Sequence, residues 1–174
     1  MSVNNFPITW IPIPGEKNKD KLAISQCPGK QTINLNKQQD LINDLISISN
    51  QQITCIISLI TKAELLALNL KNFENNIRLI GFKHYVEEIE DLGVPKQNQL
   101  YSFAKLIRII ICELNRDSKV LIHCNAGLGR SGLLAAIILK EMTDLLKPVE
   151  YVREFRKGAV ETKNQEQFIE CWRT

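Results

Sequence analysis

Lys119-Val120-Leu121-Ile122-His123-Cys124-Asn125-Ala126-Gly127-Leu128-Gly129-Arg130-Ser131-Gly132 decides how this chain is read. Val120, Leu121 and Ile122 predict a short buried strand. The run stops at His123-Cys124, two glycines loosen the next stretch, and Arg130-Ser131-Gly132 opens a helical run from Leu133. A strand that feeds a tight loop and then a helix implies an α/β fold, with a central, mostly parallel sheet flanked by helices. The same order gathers a thiol, a row of backbone amides and a guanidinium at one helix N-terminus. Those surroundings suit a phosphate dianion.

The flanking sequence fits that architecture. Upstream, Leu100, Phe103, Ala104, Ile107, Ile110, Ile111 and Leu114 follow the i, i+3, i+4, i+7 spacing of an amphipathic helix. Residues 53–60 read as a central strand, and residues 77–80 as a second one. Over residues 40–48 the apolar positions are spaced helically, and Thr61 followed by Glu64 makes a capping box for a short helix. Downstream, helices are expected over 131–146, 149–157 and 165–172, the middle one starting after Pro148. Residues 1–30, with Ile-Pro-Ile-Pro-Gly and Cys-Pro-Gly, read as an extended, turn-rich lead-in to a single domain spanning 1–174.

Composition narrows the function classes. The chain has 174 residues, 44% hydrophobic and 24% charged, ordinary proportions for a soluble globular protein. No apolar run is long enough to cross a membrane, and the N-terminus lacks the pattern of a secretory signal, so no membrane association is expected. A net charge of +3, with Lys and Arg spread along the chain, argues against nucleic acid as a partner. The five cysteines, Cys27, Cys55, Cys112, Cys124 and Cys171, show no CxxC spacing, and there are two histidines. A structural zinc site is therefore not expected, and scattered reduced thiols suggest a cytoplasmic protein.

The chemistry of the opening stretch follows from its residue types. Cys124 is the candidate nucleophile. A free thiol is only a few per cent thiolate at neutral pH, but the helix N-terminus, the amides of residues 125–130 and the Arg130 charge all favour the anion. Asn125, Ala126, Gly127, Leu128, Gly129 and Arg130 are the candidate phosphate-binding residues. The Arg130 fork can grip two phosphate oxygens, which Lys cannot. Gly127 and Gly129 permit the backbone angles that turn the amides inward. Ser131 can donate a hydrogen bond to the departing sulfur, and His123 is expected to order the loop. Cys55, on an apolar strand, could approach Cys124 as an oxidative partner, although packing alone is the preferred explanation. The bare Cys and Arg spacing is weak evidence on its own; the full context is far more demanding.

His123 to Gly132 matches the HCxxGxxRS signature, and the chain resembles the protein tyrosine and dual-specificity phosphatase superfamily. Residues 23–30, 89–95 and 158–165 resemble the lead-in, general-acid loop and C-terminal glutamine loop of the cyclin-dependent-kinase-associated phosphatases within it. The resemblance implies a phosphocysteine intermediate, with Asp91 as general acid and Gln165 positioning the hydrolytic water. Asp91 is the sole aspartate between residues 45 and 116; Glu88, Glu90 and, for the glutamine, Gln167 remain alternatives. No cofactor or metal is implied, because the guanidinium and amides supply the positive field. The implied substrate is a phosphorylated protein carrying phosphotyrosine, with phosphoserine/threonine as a second class and a protein kinase as the candidate partner. A monomer is expected. A phosphate-reading module with little turnover and a phosphoinositide phosphatase are the competing readings; the neutral Asn125, Ala126 and Leu128 disfavour the lipid.

Overall fold

The computed structural model describes residues 5–17, 20–31 and 36–173. Strands β1 (Thr9–Ile11) and β2 (Leu22–Ser25) lead into helix α1 (Lys37–Asn50), followed by β3 (Cys55–Ser58), α2 (Lys62–Ala67), α3 (Phe73–Ile80) and β4 (Lys83–Val86). A single 3₁₀ turn opens α4 (Leu100–Asn115), which precedes β5 (Val120–His123) and three helices, α5 (Gly129–Met142), α6 (Pro148–Phe155) and α7 (Lys163–Cys171). The sheet order is β1-β2-β5-β3-β4, antiparallel only at β1. The expected α/β fold with a mostly parallel sheet flanked by helices is the one observed. Among the described residues, no helix is long and apolar enough to cross a membrane.

Strand side chains alternate between two apolar layers. Ala23, Ile56 and Leu121 face Leu41, Leu45 and Ile48 of α1 and Phe73 and Ile77 of α3. Leu22, Ile24, Cys55, Ile57, Val120 and Ile122 face the layer built from α4 to α7. Helix α5 runs through the middle of that layer and is buried from Gly129 to Leu139, which is why its sequence is apolar on every side. Gly132 lets it approach the chain before α7; a Cβ there would lie 2.8 Å from the Val160 nitrogen.

Register places the functional loop. Ser25 and Ser58 both pair with His123, so β2, β5 and β3 end level at their C-terminal edge. The loop after β5 therefore emerges between two strand ends, the usual site position in an open α/β sheet.

Two sequence expectations are corrected. Residues 77–80 are not a strand but the last turn of α3: Phe73 and Ile77 share its buried face, Leu79 is exposed, and Gly81 ends it in the left-handed region (φ 103°). The strand is β4, whose exposed and half-buried Lys-His-Tyr-Val lies at the sheet edge and carries little apolar signal. The region 1–30 is likewise more than a lead-in, since β1 and β2 belong to the sheet and β2 is fully buried. Residues 1–4 and 18–19 of that region lie outside the described residues.

Candidate active site

The loop between β5 and α5 is held open by its carbonyls. His123 Nδ1 donates to Cys124 O (3.2 Å). Cys27 N–H (3.1 Å) and Lys30 Nζ (3.4 Å) donate to Asn125 O. Arg156 clamps the next two carbonyls, with Nη2 to Ala126 O at 3.2 Å and Nε to Gly127 O at 3.0 Å. Leu128 O accepts from Gly132 N–H at 2.8 Å and Val160 N–H at 3.4 Å. No described peptide is cis, so each carbonyl held outside turns the following N–H inward. The result is a cradle of amides around buried Cys124, and Gly127 N–H already donates to Cys124 Sγ at 3.2 Å. Gly127 makes that turn possible: its φ is 70°, and a Cβ would sit 2.2 Å from Ser25 O.

Arg130 enters from the first turn of α5 and is 1% exposed. Its Nη1 donates to Glu64 Oε2 (2.7 Å) and Ile89 O (2.9 Å), its Nη2 to Glu64 Oε1 (2.8 Å) and Asp91 Oδ1 (2.8 Å). Burial opposes the Arg130 charge, but the Glu64 hydrogen bonds and the charges of Cys124, Glu64 and Asp91 outweigh it and raise the arginine's pKa. Burial likewise pushes the Glu64 carboxyl up, yet the bonds from Arg130, Thr61 N–H and Asn125 win and hold it at about 2. The fork is thus aimed by a bidentate, permanently ionised partner.

Asp91 is brought to this point by a loop pinned on both sides. Ile89 is buried, with its N–H on Leu59 O and its carbonyl on Arg130. Gly93 O accepts from Gln165 Nε2 at 3.0 Å. The neighbouring acids point elsewhere: Glu88 accepts the Lys62 backbone N–H at the start of α2, and Glu90 pairs with Lys96. Gln165 is fully buried and Gln167 is exposed. The Gln165 amide is already engaged: its Oε1 accepts from Glu161 N–H (2.9 Å) and Thr162 N–H (3.4 Å), and its Nε2 ties α7 to the Asp91 loop.

His123 touches the loop through its bond to Cys124 O, within a hydrogen-bond chain the sequence did not suggest. Cys124 O can only accept, so Nδ1 of His123 carries the proton and Nε2 takes a bond from Ser58 Oγ at 2.6 Å. Ser58 in turn accepts from His84 Nε2 at 2.8 Å, leaving His84 Nδ1 buried without a partner among the described residues. Burial keeps both rings neutral, pulling His123 down to about 3 and His84 to about 4. One expected bond is not made: the Ser131 hydroxyl is buried with no hydrogen-bond partner among the described residues, so it does not reach the sulfur in this structure. For Cys55 the packing explanation holds, since it lies buried in the core. Cys55 pairs in register with Val120, at the other end of the strand from Cys124, roughly 13 Å away at about 3.3 Å per residue. Cys27 is the thiol near Cys124; burial and the Cys124 charge push its pKa up.

Sequence reasoning missed Glu64, Arg156, Ser58, His84 and Cys27 as parts of the site. Only Glu64 carried a signal, as the acid of a capping box, and it fills both roles: Thr61 N–H and Oγ1 reach its Oε2 at 3.1 and 3.0 Å.

Residues 29–143 match the family model described as Tc-R-P, polymorphic toxin system, DSP-PTPase phosphatase. Cyclin-dependent kinase inhibitor 3 of Rattus norvegicus is 25% identical over 170 residues, covering 95% of this chain and 78% of that protein. The tyrosine-protein phosphatase CDC14 homolog of Schizosaccharomyces pombe is 34% identical over 92 residues, covering 52% of this chain and 16% of that protein. The crystal structure of kinase associated phosphatase, with its catalytic-site cysteine changed to serine, superposes with a TM-score of 0.82 at 24% identity, covering 94% and 92% of the two chains. This chain belongs to the DSP-PTPase phosphatase family and is a phosphatase of the protein tyrosine and dual-specificity type.

Proposed function

We propose that the chain hydrolyses phosphate monoesters on proteins through a phosphocysteine formed on Cys124. The observation that carries the reading is the ring of inward amides around the Cys124 sulfur, closed by the buried Arg130 fork. In the first step Sγ attacks phosphorus, an S–P bond forms, and the bond to the leaving oxygen breaks. A phosphate oxygen takes the place of the Asp91 carboxylate at Arg130 Nη2; the freed carboxylate takes up the proton that the Cys124 thiol gives up as the substrate binds and passes it to the leaving oxygen. In the second step a water oxygen attacks phosphorus, its proton passes to Asp91, and the S–P bond breaks to free phosphate and the thiolate. Arg130 and the amides of 125–129 stabilise the equatorial oxygens in both steps. Gln165 acts by holding Gly93 and hence the Asp91 loop in place, and it reaches the water when that bond opens. Ser131 supplies its unpartnered hydroxyl to the sulfur as charge returns to it.

The substrate we infer is a phosphorylated protein, phosphotyrosine first and phosphoserine/threonine second, with a kinase as candidate. The name of the rat relative, cyclin-dependent kinase inhibitor 3, supports that inference. A monomeric, cytoplasmic single domain completes the reading. Rapid acid quench during turnover of an aryl phosphate, followed by peptide mass spectrometry, tests the intermediate. A phosphoryl group on the Cys124 peptide is expected; its absence under burst conditions, or its presence on another residue, contradicts the mechanism.

A further inference from the structure

Glu161 takes no part in the reaction above, yet its carboxylate reaches the cradle. Leu128 O is held by Gly132 N–H and Val160 N–H, so the Gly129 N–H in the same peptide points the opposite way, to the side where the other loop amides face Cys124. That N–H donates to Glu161 Oε2 at 2.8 Å. The carboxylate lies close against the loop: a Cβ on Gly129 would be 2.6 Å from the same oxygen and 3.0 Å from Gln165 Nε2. Asp91 holds Arg130 Nη2 in a comparable way at 2.8 Å. Two donors that an oxyanion needs are therefore occupied by carboxylates of the chain itself.

The two carboxylates differ in what they do next. Asp91, once displaced from Arg130, carries a proton to the leaving group in the proposed mechanism. Glu161 is anchored only through its backbone, whose N–H donates to Gln165 Oε1. Among the described residues no cation lies at ion-pair distance from its side chain, so a single hydrogen bond holds the carboxylate on the loop. A phosphate dianion arriving at Gly129 N–H meets like charge and must push it aside.

We propose that Glu161 is an internal competitor for the phosphate cradle, an affinity-setting residue that releases Gly129 N–H when a phosphate monoester binds and reclaims it as inorganic phosphate leaves. The inference rests on the cradle being the phosphate site. It gives the enzyme weak retention of its own product, and it makes the neutral amide at this position the tighter binder.

The test is calorimetric binding of inorganic phosphate to the full chain, to Glu161→Gln and to Glu161→Ala, alongside product inhibition of aryl phosphate hydrolysis. Both variants are expected to bind phosphate about tenfold more tightly, with inhibition tightening in parallel. Because Glu161 is exposed, both variants are expected to fold. A brace that merely orders the loop predicts the opposite sign; unchanged or weaker binding in both variants overturns the proposal. No phosphate binding by any of the three proteins overturns it together with the reading of the cradle. A tenfold gain in Glu161→Gln, with turnover surviving Cys124→Ser, would support the competitor while removing the nucleophile assignment alone.

Discussion

Glu64 shows how much of the site depends on a residue that touches no substrate. It caps α2 through Thr61 and aims the Arg130 fork with two short bonds. Glu64→Gln keeps one acceptor and loses the charge, so the fork is aimed less firmly. The expected result is a kcat reduced about tenfold to a hundredfold and a stability loss of about 2 kcal/mol, measured by steady-state kinetics and denaturant melts. Asp91→Asn discriminates the general acid from its neighbours. It should lower kcat about 10²–10⁴-fold for alkyl and phenyl esters, and far less when the leaving group is acidic enough to depart without a proton. The same loss in Glu88→Gln or Glu90→Gln would reassign the role. Cys124 and Arg130 stand out through the signature and Asp91 through the family resemblance, and the fold brings the three together. Arg156 does not stand out, since nothing local marks an arginine that binds two carbonyls about thirty residues away in sequence.

At the scale of elements, the loop after β5 is supported by neighbouring strands through neutral imidazoles. Ser58 on β3 and His84 on β4 carry the hydrogen-bond chain to His123 at the end of β5. These are the only histidines in the sequence, which makes their linkage measurable. Their folded pKa values of about 3 and about 4 lie below the ordinary 6.5, so between those limits the unfolded chain binds more protons. Stability is therefore complete above pH 6.5 and falls as pH drops below it, before most carboxylates titrate. From pH 6.5 to 5, buried His123 alone removes about 2 kcal/mol. Melts across that range should show the loss, and a flat profile would mean both rings take up protons in the folded state. Helices α1 and α4 were legible because each repeats its apolar spacing for several turns, and α5 as an unbroken apolar run opened by the signature. The short strands were not: β4 has no buried face of its own, and β2 sits among prolines, glycines and lysines that read as turn.

Across the whole molecule, one register decides where chemistry occurs. β5 lies between β2 and β3, and all three end level, so the sheet's C-terminal edge presents Cys124 beside the loops that begin at Ser25 and Ser58. Helix α5 fixes the direction of approach: its N-terminus carries Gly129 and Arg130 while its body fills the core between α4, α6 and α7. Leu134→Ala in that body should cost about 2–5 kcal/mol in a denaturant melt. It should do so with little effect on kcat at a temperature where the variant remains folded. The sheet order itself could not be read from one sequence, because pairing between strands separated by helices leaves no local trace.

The central claim is that Cys124 carries the reaction. Hydrolysis of a small aryl phosphate by the wild-type chain and by Cys124→Ser, both in EDTA, tests it most directly. Turnover in the wild type that disappears in the variant, while phosphate binding persists, is the predicted result. Turnover that survives in Cys124→Ser would contradict the account.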